Sequence, residues 1–223
     1  MVEWFAYYGA SKMNVIDIFP SPVYVESYPE KDLIKTIISD LISKTELQQN
    51  SYCENLFHIG NDSSSSILYE DIFDNLREWI IGNSILFIQN VMGYKIDDNV
   101  LVTDSWINIS KKGSFQHPHY HTNSFISGTY YVSLEEGSSP LEFNYSDISP
   151  FSQRQSLTLD KLNYTKYNSD AFVNIEEGSL VLWPSQLTHG FSNNQSDQRI
   201  SISFNVMPTQ MKTGTYGFKV SLI

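Results

Sequence analysis

Apolar residues follow a helical period in the first part of the chain and alternate with polar residues in the second part. From about residue 30 to residue 91 they recur at spacings of three and four, which predicts two amphipathic helices. Pro29 suits the first turn of the first helix, and Gly93 suits the end of the second. The apolar stripes consist of Leu33, Ile34, Ile37, Ile38, Leu41 and Ile42 in the first helix and of Leu68, Ile72, Phe73, Leu76, Trp79, Ile80, Phe87 and Val91 in the second.

Beyond Gly93 the alternating pattern predicts short strands separated by turn residues, which is typical of a sandwich or a jelly roll. An order in which helices precede strands favours helices packed outside one β-core. We therefore predict a mainly β protein with a single domain over residues 1–223, a helical part at 1–95 and a jelly-roll core at 96–223. The predicted strands are Val100–Ser110, Ser124–Leu134, Pro140–Tyr145, Phe172–Ile175, Ser179–Trp183, Arg199–Met207 and Phe218–Ile223.

Two further segments have a distinct character. Val15–Val25 is rich in β-forming residues but is interrupted by two prolines, so we predict an edge strand or an extended entry segment. Ser146–Asp170 is long, polar and weakly patterned. Loops of this length in a compact domain are often lids or binding loops, and we expect this one to shape the substrate pocket.

Composition limits the partners and the compartment. The formal net charge is -11 and the pI is about 4.7, so the surface repels phosphate backbones and extended nucleic-acid binding is not expected. The single cysteine, Cys53, excludes an intrachain disulfide and fits a reducing compartment. With no signal-peptide pattern at the N-terminus and no apolar run of transmembrane length, we expect a cytoplasmic protein. Edge strands near both termini suit a homodimer contact.

Three of the five histidines fall within five residues, at His117, His119 and His121. Residues two apart on a strand share a face, so these imidazoles are able to grip one metal ion. The pair His119 and His121 is the better candidate because it directly precedes the turn into the next strand, and His117 is left for a supporting role or for the substrate cleft. His189, just beyond an apolar strand, is the candidate third ligand, whereas His58 is read as structural or exposed.

Arg199 opens a strand ten residues after His189, and Ser201 shares its face. A guanidinium binds a carboxylate through two hydrogen bonds, and a nearby hydroxyl adds a third. This arrangement next to a metal suits a small dicarboxylate co-substrate. Tyr131 is a further candidate for the same pocket and Asn108 a weaker one, although core packing and a strand-edge position explain them equally well.

Six stretches of the chain form one combined pattern, namely Trp106–Gly113, His119-Tyr-His121, Ser127–Val132, Gly178–Ser185, His189-Gly and Arg199–Asn205. This pattern resembles a family of 2-oxoglutarate-dependent Fe(II) oxygenases with members in marine bacteria and their phages. The resemblance implies a double-stranded β-helix in which His119, His121 and His189 hold Fe(II). It also implies that 2-oxoglutarate pairs with Arg199, and that O2 is consumed as 2-oxoglutarate is decarboxylated to succinate and an unknown substrate is hydroxylated.

One position departs from the broader pattern of such oxygenases. They usually have a carboxylate two residues after the first histidine, and here that position is His121. A neutral imidazole leaves the metal site more positive by one charge. Either a three-histidine site is active, or His121 is not a ligand, and then Asp104 and Glu142 are the available carboxylates.

Two alternatives use the same architecture. A cupin-type dioxygenase or isomerase shares the spacing of Gly113 from His119 and of Gly178 from Pro184 and His189. It lacks its usual glutamate here, however, and leaves Arg199 unexplained. The other alternative is a non-catalytic jelly roll with vestigial histidines or a structural metal, for which the sequence offers no evident fourth ligand.

Overall fold

The computed structural model describes residues 20–60, 66–96, 99–144 and 171–222. The predicted lid or binding loop at Ser146–Asp170 lies outside these residues. So do the first five residues of the predicted Val15–Val25 segment and the last residue of the predicted final strand, Ile223. Whether residues 1–223 form one domain stays a prediction.

The larger of the two main sheets has seven strands, and every neighbouring pair is antiparallel. Its central strands are long and its edges are short, which limits the unpaired backbone at the edges. In spatial order the strands are β1 (Tyr24–Ser27), β9 (Ser179–Pro184), β6 (Ile126–Leu134), β11 (Arg199–Pro208), β4 (Val100–Ser110), β3 (Leu56–Ile59) and β2 (Gln48–Gln49).

A four-stranded antiparallel sheet supplies the opposite wall of the β-core, and a separate hairpin follows near the C-terminus. The order in the small sheet is β5 (Gln116–His119), β10 (His189–Phe191), β7 (Leu141–Phe143) and β8 (Ala171–Val173). The hairpin pairs β12 (Gln210–Thr213) with β13 (Tyr216–Lys219).

The helices pack on the outer face of the large sheet, as the order of elements predicts. Helix α1 spans Lys31–Lys44, and helix α2 spans Asp74–Leu86. The predicted second helix is interrupted, because two 3-10 turns precede α2 and a π-helical turn, Phe87–Val91, continues it. Gly93 has a φ of +74°, a left-handed conformation that suits the predicted stop.

The two faces of the large sheet differ because polar and apolar residues alternate along its strands. On β11, Ile200, Ile202, Phe204 and Val206 join an apolar core with residues of both helices. The intervening polar side chains face the space between the two sheets. This arrangement confirms the predicted fold class, a mainly β double-stranded β-helix with helices packed outside.

Several short strands escape the sequence pattern, and one of them matters for the site. Strand β3 (Leu-Phe-His-Ile) is too short and too apolar to show alternation, but it pairs with β4 and places His58 opposite Asn108. His58 is 5% exposed, so it is a structural residue within the main sheet and not an exposed one. No helix in the described part of the chain is long and apolar enough to cross a membrane.

Candidate metal centre

Two strands of the small sheet bring the predicted ligands together. His119 ends β5 and His189 begins β10, and the two residues lie opposite each other in the antiparallel pair. His121 follows β5 after one residue, where its backbone N–H donates to the carbonyl of Ser185 at 2.9 Å. The ligand atoms of the three histidines all lie within 4.8 Å of one another. One metal ion is therefore able to contact all three.

The hydrogen bonds of two imidazoles fix the nitrogen that faces the cluster. His119 Nδ1 donates to the carbonyl of His117 at 2.8 Å, and His189 Nδ1 donates to the carbonyl of Leu187 at 2.9 Å. In each neutral ring this assigns the proton to Nδ1 and leaves the Nε2 lone pair available. Such outer hydrogen bonds are typical of histidines that bind metals.

Burial keeps the three imidazoles neutral. It lowers the pKa of His119, and it lowers the pKa of His189 to about 3, with the neighbouring His119 adding to the effect. The pKa of His121 is lowered first by burial and then by His119, while a hydrogen bond to Asn205 and the charge of Asp104 oppose the shift. A metal ion binds deprotonated imidazole, so these rings are ready to bind at neutral pH.

The remaining candidate ligands lie apart from this cluster. His117 is exposed, and its ring packs against Tyr52 with a centroid distance of 5.0 Å. Asp104 accepts a hydrogen bond from Asn205 Nδ2 at 3.2 Å, behind His121 rather than beside the other histidines. Glu142 accepts from the backbone N–H of Ser192 at 3.1 Å. Among the described residues, the metal-capable group contains none of these three.

A cavity of about 220 Å³ extends from the histidines between the two sheets and contains Arg199. Arg199 is 3% exposed, and its Nε donates to the carbonyl of Ser139 at 3.0 Å. Its guanidinium carbon lies 4.3 Å from the ring centroid of Phe191 and 5.2 Å from that of Tyr131. Burial lowers its pKa, yet arginine starts so high that it stays charged.

No carboxylate within the described residues pairs with Arg199. Burying a charge without a counter-ion costs free energy, so the Arg199 guanidinium favours binding of an anion through its two terminal nitrogens. A register shift in the pairing of β6 with β11 puts Tyr131 opposite Ser201. Both line the same cavity. No hydrogen bond of ordinary length and angle reaches the buried Tyr131 hydroxyl from the described residues, although the neighbouring Arg199 guanidinium opposes the rise in its pKa that burial causes.

Asn108 also lines the cavity, where its side chain is the centre of a polar network. Its Oδ1 accepts from His58 Nδ1 at 3.0 Å and from Trp106 Nε1 at 3.1 Å, and its Nδ2 donates to Ser203 Oγ at 2.8 Å. On the far side of the ring, His58 Nε2 accepts a hydrogen bond from Asn50 Nδ2 at 3.1 Å. One amide hydrogen of Asn108 remains for a ligand.

Two residues contact His121 from outside the histidine cluster, and the sequence alone does not indicate this role for either of them. The indole of Trp106 lies parallel to the His121 ring, with 6.3 Å between centroids and 9° between planes. Asn205 is buried and accepts from Ser127 Oγ at 3.0 Å. Both Trp106 and Asn205 stand in the motifs that carry the family resemblance, but only the pairing of distant strands brings them to His121.

The comparisons with known proteins agree with this geometry. Residues 104–205 match the model of a family described as "Putative 2OG-Fe(II) oxygenase". The matched segment contains the three clustered histidines together with Tyr131, Asn108, Arg199 and Ser201. No curated protein matches the chain in sequence.

Solved structures with the same fold include three proteins of low sequence identity. HygX from Streptomyces hygroscopicus, crystallised with nickel, 2-oxoglutarate and hygromycin B, has a TM-score of 0.58 at 11% identity, with coverage of 85% of this chain and 84% of that one. SnoN, a non-heme alpha ketoglutarate dependent epimerase from nogalamycin biosynthesis, has a TM-score of 0.61 at 9% identity over 85% and 77%. A Pseudomonas putida prolyl-4-hydroxylase has a TM-score of 0.55 at 12% identity over 83% and 92%.

Proposed function

We propose that this chain is a 2-oxoglutarate- and Fe(II)-dependent oxygenase that holds its iron through His119, His121 and His189. The observation that carries the proposal is one cavity that contains both three neutral imidazoles within 4.8 Å and a buried arginine. The donor set fits the ion, because imidazole nitrogen is a common ligand of Fe(II). Two of the rings already direct Nε2 into the cluster.

When bound, iron with 2-oxoglutarate and O2 supplies the oxidative chemistry, which converts 2-oxoglutarate to succinate and CO2 and hydroxylates the substrate. The protein contributes orientation and exclusion of water. We propose that Arg199 pairs with the distal carboxylate of 2-oxoglutarate, with Ser201 and Tyr131 as additional donors and the spare amide hydrogen of Asn108 as a weaker one. The buried guanidinium without a described carboxylate partner supports the first contact, and the orphan hydroxyl of Tyr131 supports another.

The three-histidine set makes the centre more positive than a set with a carboxylate. Asp104 accepts a hydrogen bond from Asn205, and Asn205 is in turn hydrogen-bonded to His121. The negative charge that a carboxylate ligand would bring to the metal is therefore partly supplied by Asp104, which does not contact the metal site directly. We propose that this pair orients the His121 ring and that the parallel Trp106 indole limits its rotation. Outer partners of metal-binding histidines are known to influence metal affinity.

The substrate that we propose is a small molecule or an exposed side chain. HygX was crystallised with the small molecule hygromycin B, and a prolyl-4-hydroxylase shares the fold. The net charge of -11 disfavours extended contacts with nucleic acid. We further propose a cytoplasmic location, because a single cysteine fits a reducing compartment, and an origin in a marine bacterium or phage, because of the family resemblance.

A homodimer through the edge strands is the proposed assembly, and light scattering of the purified chain measures its mass.

The proposal is tested by turnover without a substrate. Under air, the Fe(II)-loaded protein is incubated with 2-oxoglutarate, and succinate is followed by NMR. We expect slow formation of succinate that requires Fe(II) and is lost in Arg199→Ala. Tight stoichiometric zinc with neither 2-oxoglutarate binding nor succinate would instead favour the non-catalytic alternative. Iron binding and oxygen uptake that are independent of 2-oxoglutarate would favour the cupin alternative.

A further inference from the structure

Trp183 carries an unused hydrogen-bond donor in the wall of the cavity. It lies on β9, is 1% exposed and lines the cavity between the two sheets. Its ring meets His189 at 4.7 Å and Phe143 at 5.5 Å between centroids, in edge-to-face contacts that fix its position. Its Nε1 has no hydrogen-bond partner.

An indole N–H that is buried and unpaired is costly, and the great majority of buried polar groups in proteins have a partner. Six buried side-chain atoms in the described part of the chain lack one. Only two of the six belong to residues that line the cavity, namely Tyr131 and Trp183. The unpaired donors of these two therefore share one space, whereas the others are scattered through the fold.

A second tryptophan in the same cavity shows that an unpaired indole is not a general feature of its wall. The Nε1 of Trp106 donates to Asn108 Oδ1 at 3.1 Å. The indole of Trp106 is therefore satisfied by the protein itself, and that of Trp183 is not.

Apart from the metal-binding histidine nitrogens, the cavity groups that lack partners are able to donate hydrogen bonds. Among the described residues, Trp183 Nε1–H and the Tyr131 hydroxyl have no partner of ordinary length and angle. Arg199 donates through Nε to the carbonyl of Ser139, and its guanidinium opposes the rise in the pKa of Tyr131 that burial causes. The complement of these groups is a ligand rich in acceptors, and a carboxylate offers about four acceptor positions on two oxygens. A dicarboxylate such as 2-oxoglutarate carries such acceptors at both of its ends.

We propose that Trp183 is an additional co-substrate-binding residue, whose indole N–H donates to an oxygen of bound 2-oxoglutarate. The proposal rests on the proposed function, because the ligand is the co-substrate of that same site. It adds to Arg199, Ser201, Tyr131 and Asn108 a donor that carries no charge and is held in place by aromatic contacts.

The test is an anaerobic calorimetric titration of the Fe(II)-loaded protein with 2-oxoglutarate, in the native chain and in Trp183→Phe. Phenylalanine keeps most of the apolar contact and removes the donor. We expect the Kd for 2-oxoglutarate to rise roughly 10-fold, the usual range for one hydrogen bond to a charged group. The affinity for Fe(II) should change by less than about twofold, because His189 keeps its ligand-orienting bond to Leu187.

Tyr130→Phe is the matched control, because it removes a buried, unpaired hydroxyl on the neighbouring residue of the sequence without touching the cavity. Tyr130 packs against Tyr28 on the outer face of the sheet, so its variant should bind 2-oxoglutarate as the native chain does. Equal Kd values for Trp183→Phe and the native chain would overturn the role of Trp183. Failure of the native chain to bind 2-oxoglutarate would overturn the proposed function instead.

A second measurement needs no folded variant at position 183. In the native chain loaded with diamagnetic Zn(II), the indole N–H signals are recorded by 15N-resolved NMR and assigned through single Trp→Phe variants at the other three tryptophans. Addition of 2-oxoglutarate should shift the Trp183 indole proton downfield, as expected for a new hydrogen bond to an anion, and leave that of Trp79, which packs against Tyr28 away from the cavity, nearly unmoved. An unmoved Trp183 signal at saturating 2-oxoglutarate would contradict the proposal.

Discussion

One face of strand β11 packs in the apolar core and the other lines the cavity, although the residues of the two faces alternate along one stretch of ten. Ile200 and Ile202 face the helices and are almost completely buried in the apolar core. Arg199 and Ser201 face the cavity and are just as buried. Burial on the outer face is stabilising because the side chains are apolar. Burial on the inner face leaves polar side chains with unmet hydrogen bonds, which a ligand is able to satisfy.

The adjacent tyrosines of β6 repeat this contrast. Burial raises the pKa of both Tyr130 and Tyr131, but only the hydroxyl of Tyr131 lies near a positive charge, that of Arg199, which opposes the shift. The lesson is that an unsatisfied polar atom has functional meaning only through its surroundings. Substitutions on the outer face should therefore change stability, and those on the inner face should change ligand binding.

The largest expected effect is on the inner face, at the metal. His189→Ala removes one of three ligands and should abolish stoichiometric Fe(II) binding, while the far-ultraviolet circular dichroism stays that of the native chain. Metal analysis after gel filtration measures the iron content. One equivalent of iron retained in this variant would show that His189 is not a ligand.

The outer face should respond in the opposite way. The Ile202 side chain is completely buried in the apolar core and does not line the cavity, so Ile202→Ala should lower the free energy of unfolding by about 2–5 kcal/mol. Chemical denaturation gives this value, and the affinity for 2-oxoglutarate of the folded fraction should be unchanged. A variant that lost co-substrate affinity but kept its stability would contradict the division between the two faces.

Arg199 sharpens the comparison, because it is buried on the polar face. Arg199→Ala should weaken 2-oxoglutarate binding by roughly 100-fold, the scale of losing one partner of a buried charge pair. Fe(II) affinity should stay nearly intact, since no ligand is altered. Arg199→Lys provides a control that retains the charge but lacks the planar pair of donors. Equal losses of metal and co-substrate affinity in Arg199→Ala would count against the assigned role.

A smaller effect concerns pH and His58. Burial lowers the pKa of His58, and both of its nitrogens are engaged by asparagine side chains. The folded state therefore binds less proton than the unfolded state, so the stability contribution of His58 is complete above its unfolded pKa and is lost as pH falls from about 6.5.

His58→Gln should remove this dependence. In the Zn(II)-loaded protein, the difference in unfolding free energy between the native chain and the variant should shrink on acidification from pH 7.5 to 5.5, by at most about 1.4 kcal/mol per pH unit. Denaturation at several pH values measures it. A difference that grew with acidity would mean that His58 is stabilised as the charged form.

Strands with long alternation are predictable from the sequence, and so is the grouping of the three histidines. The bounds of β4 match the predicted Val100–Ser110, and β11 differs by one residue at its end. Two residues of the cluster were readable because His119 and His121 share a local spacing. His189 was chosen from its place after an apolar strand, and the antiparallel pairing of β5 and β10 brings it opposite His119.

The missed features depend on contacts between distant parts of the chain. His58 lies between the two predicted helices in the sequence and is therefore predicted to be structural or exposed, and only the pairing of β3 with β4 brings it to Asn108. Trp183 lies within the stretch Gly178–Ser185, which contributes to the family resemblance, but the sequence predicts no role for it. Its unpaired nitrogen is a property of the packed cavity, and apolar patterning cannot reveal it.

The central claim is that a three-histidine centre binds Fe(II) and that 2-oxoglutarate then chelates it beside Arg199. The most direct measurement is an anaerobic titration of the metal-free protein with Fe(II) and then 2-oxoglutarate, followed through the visible charge-transfer band of the chelate. We predict a saturable band that requires one iron per chain and is absent in His189→Ala. Iron binding without the band would contradict the account and favour a cupin-type centre, and no iron binding would leave a structural or vestigial site.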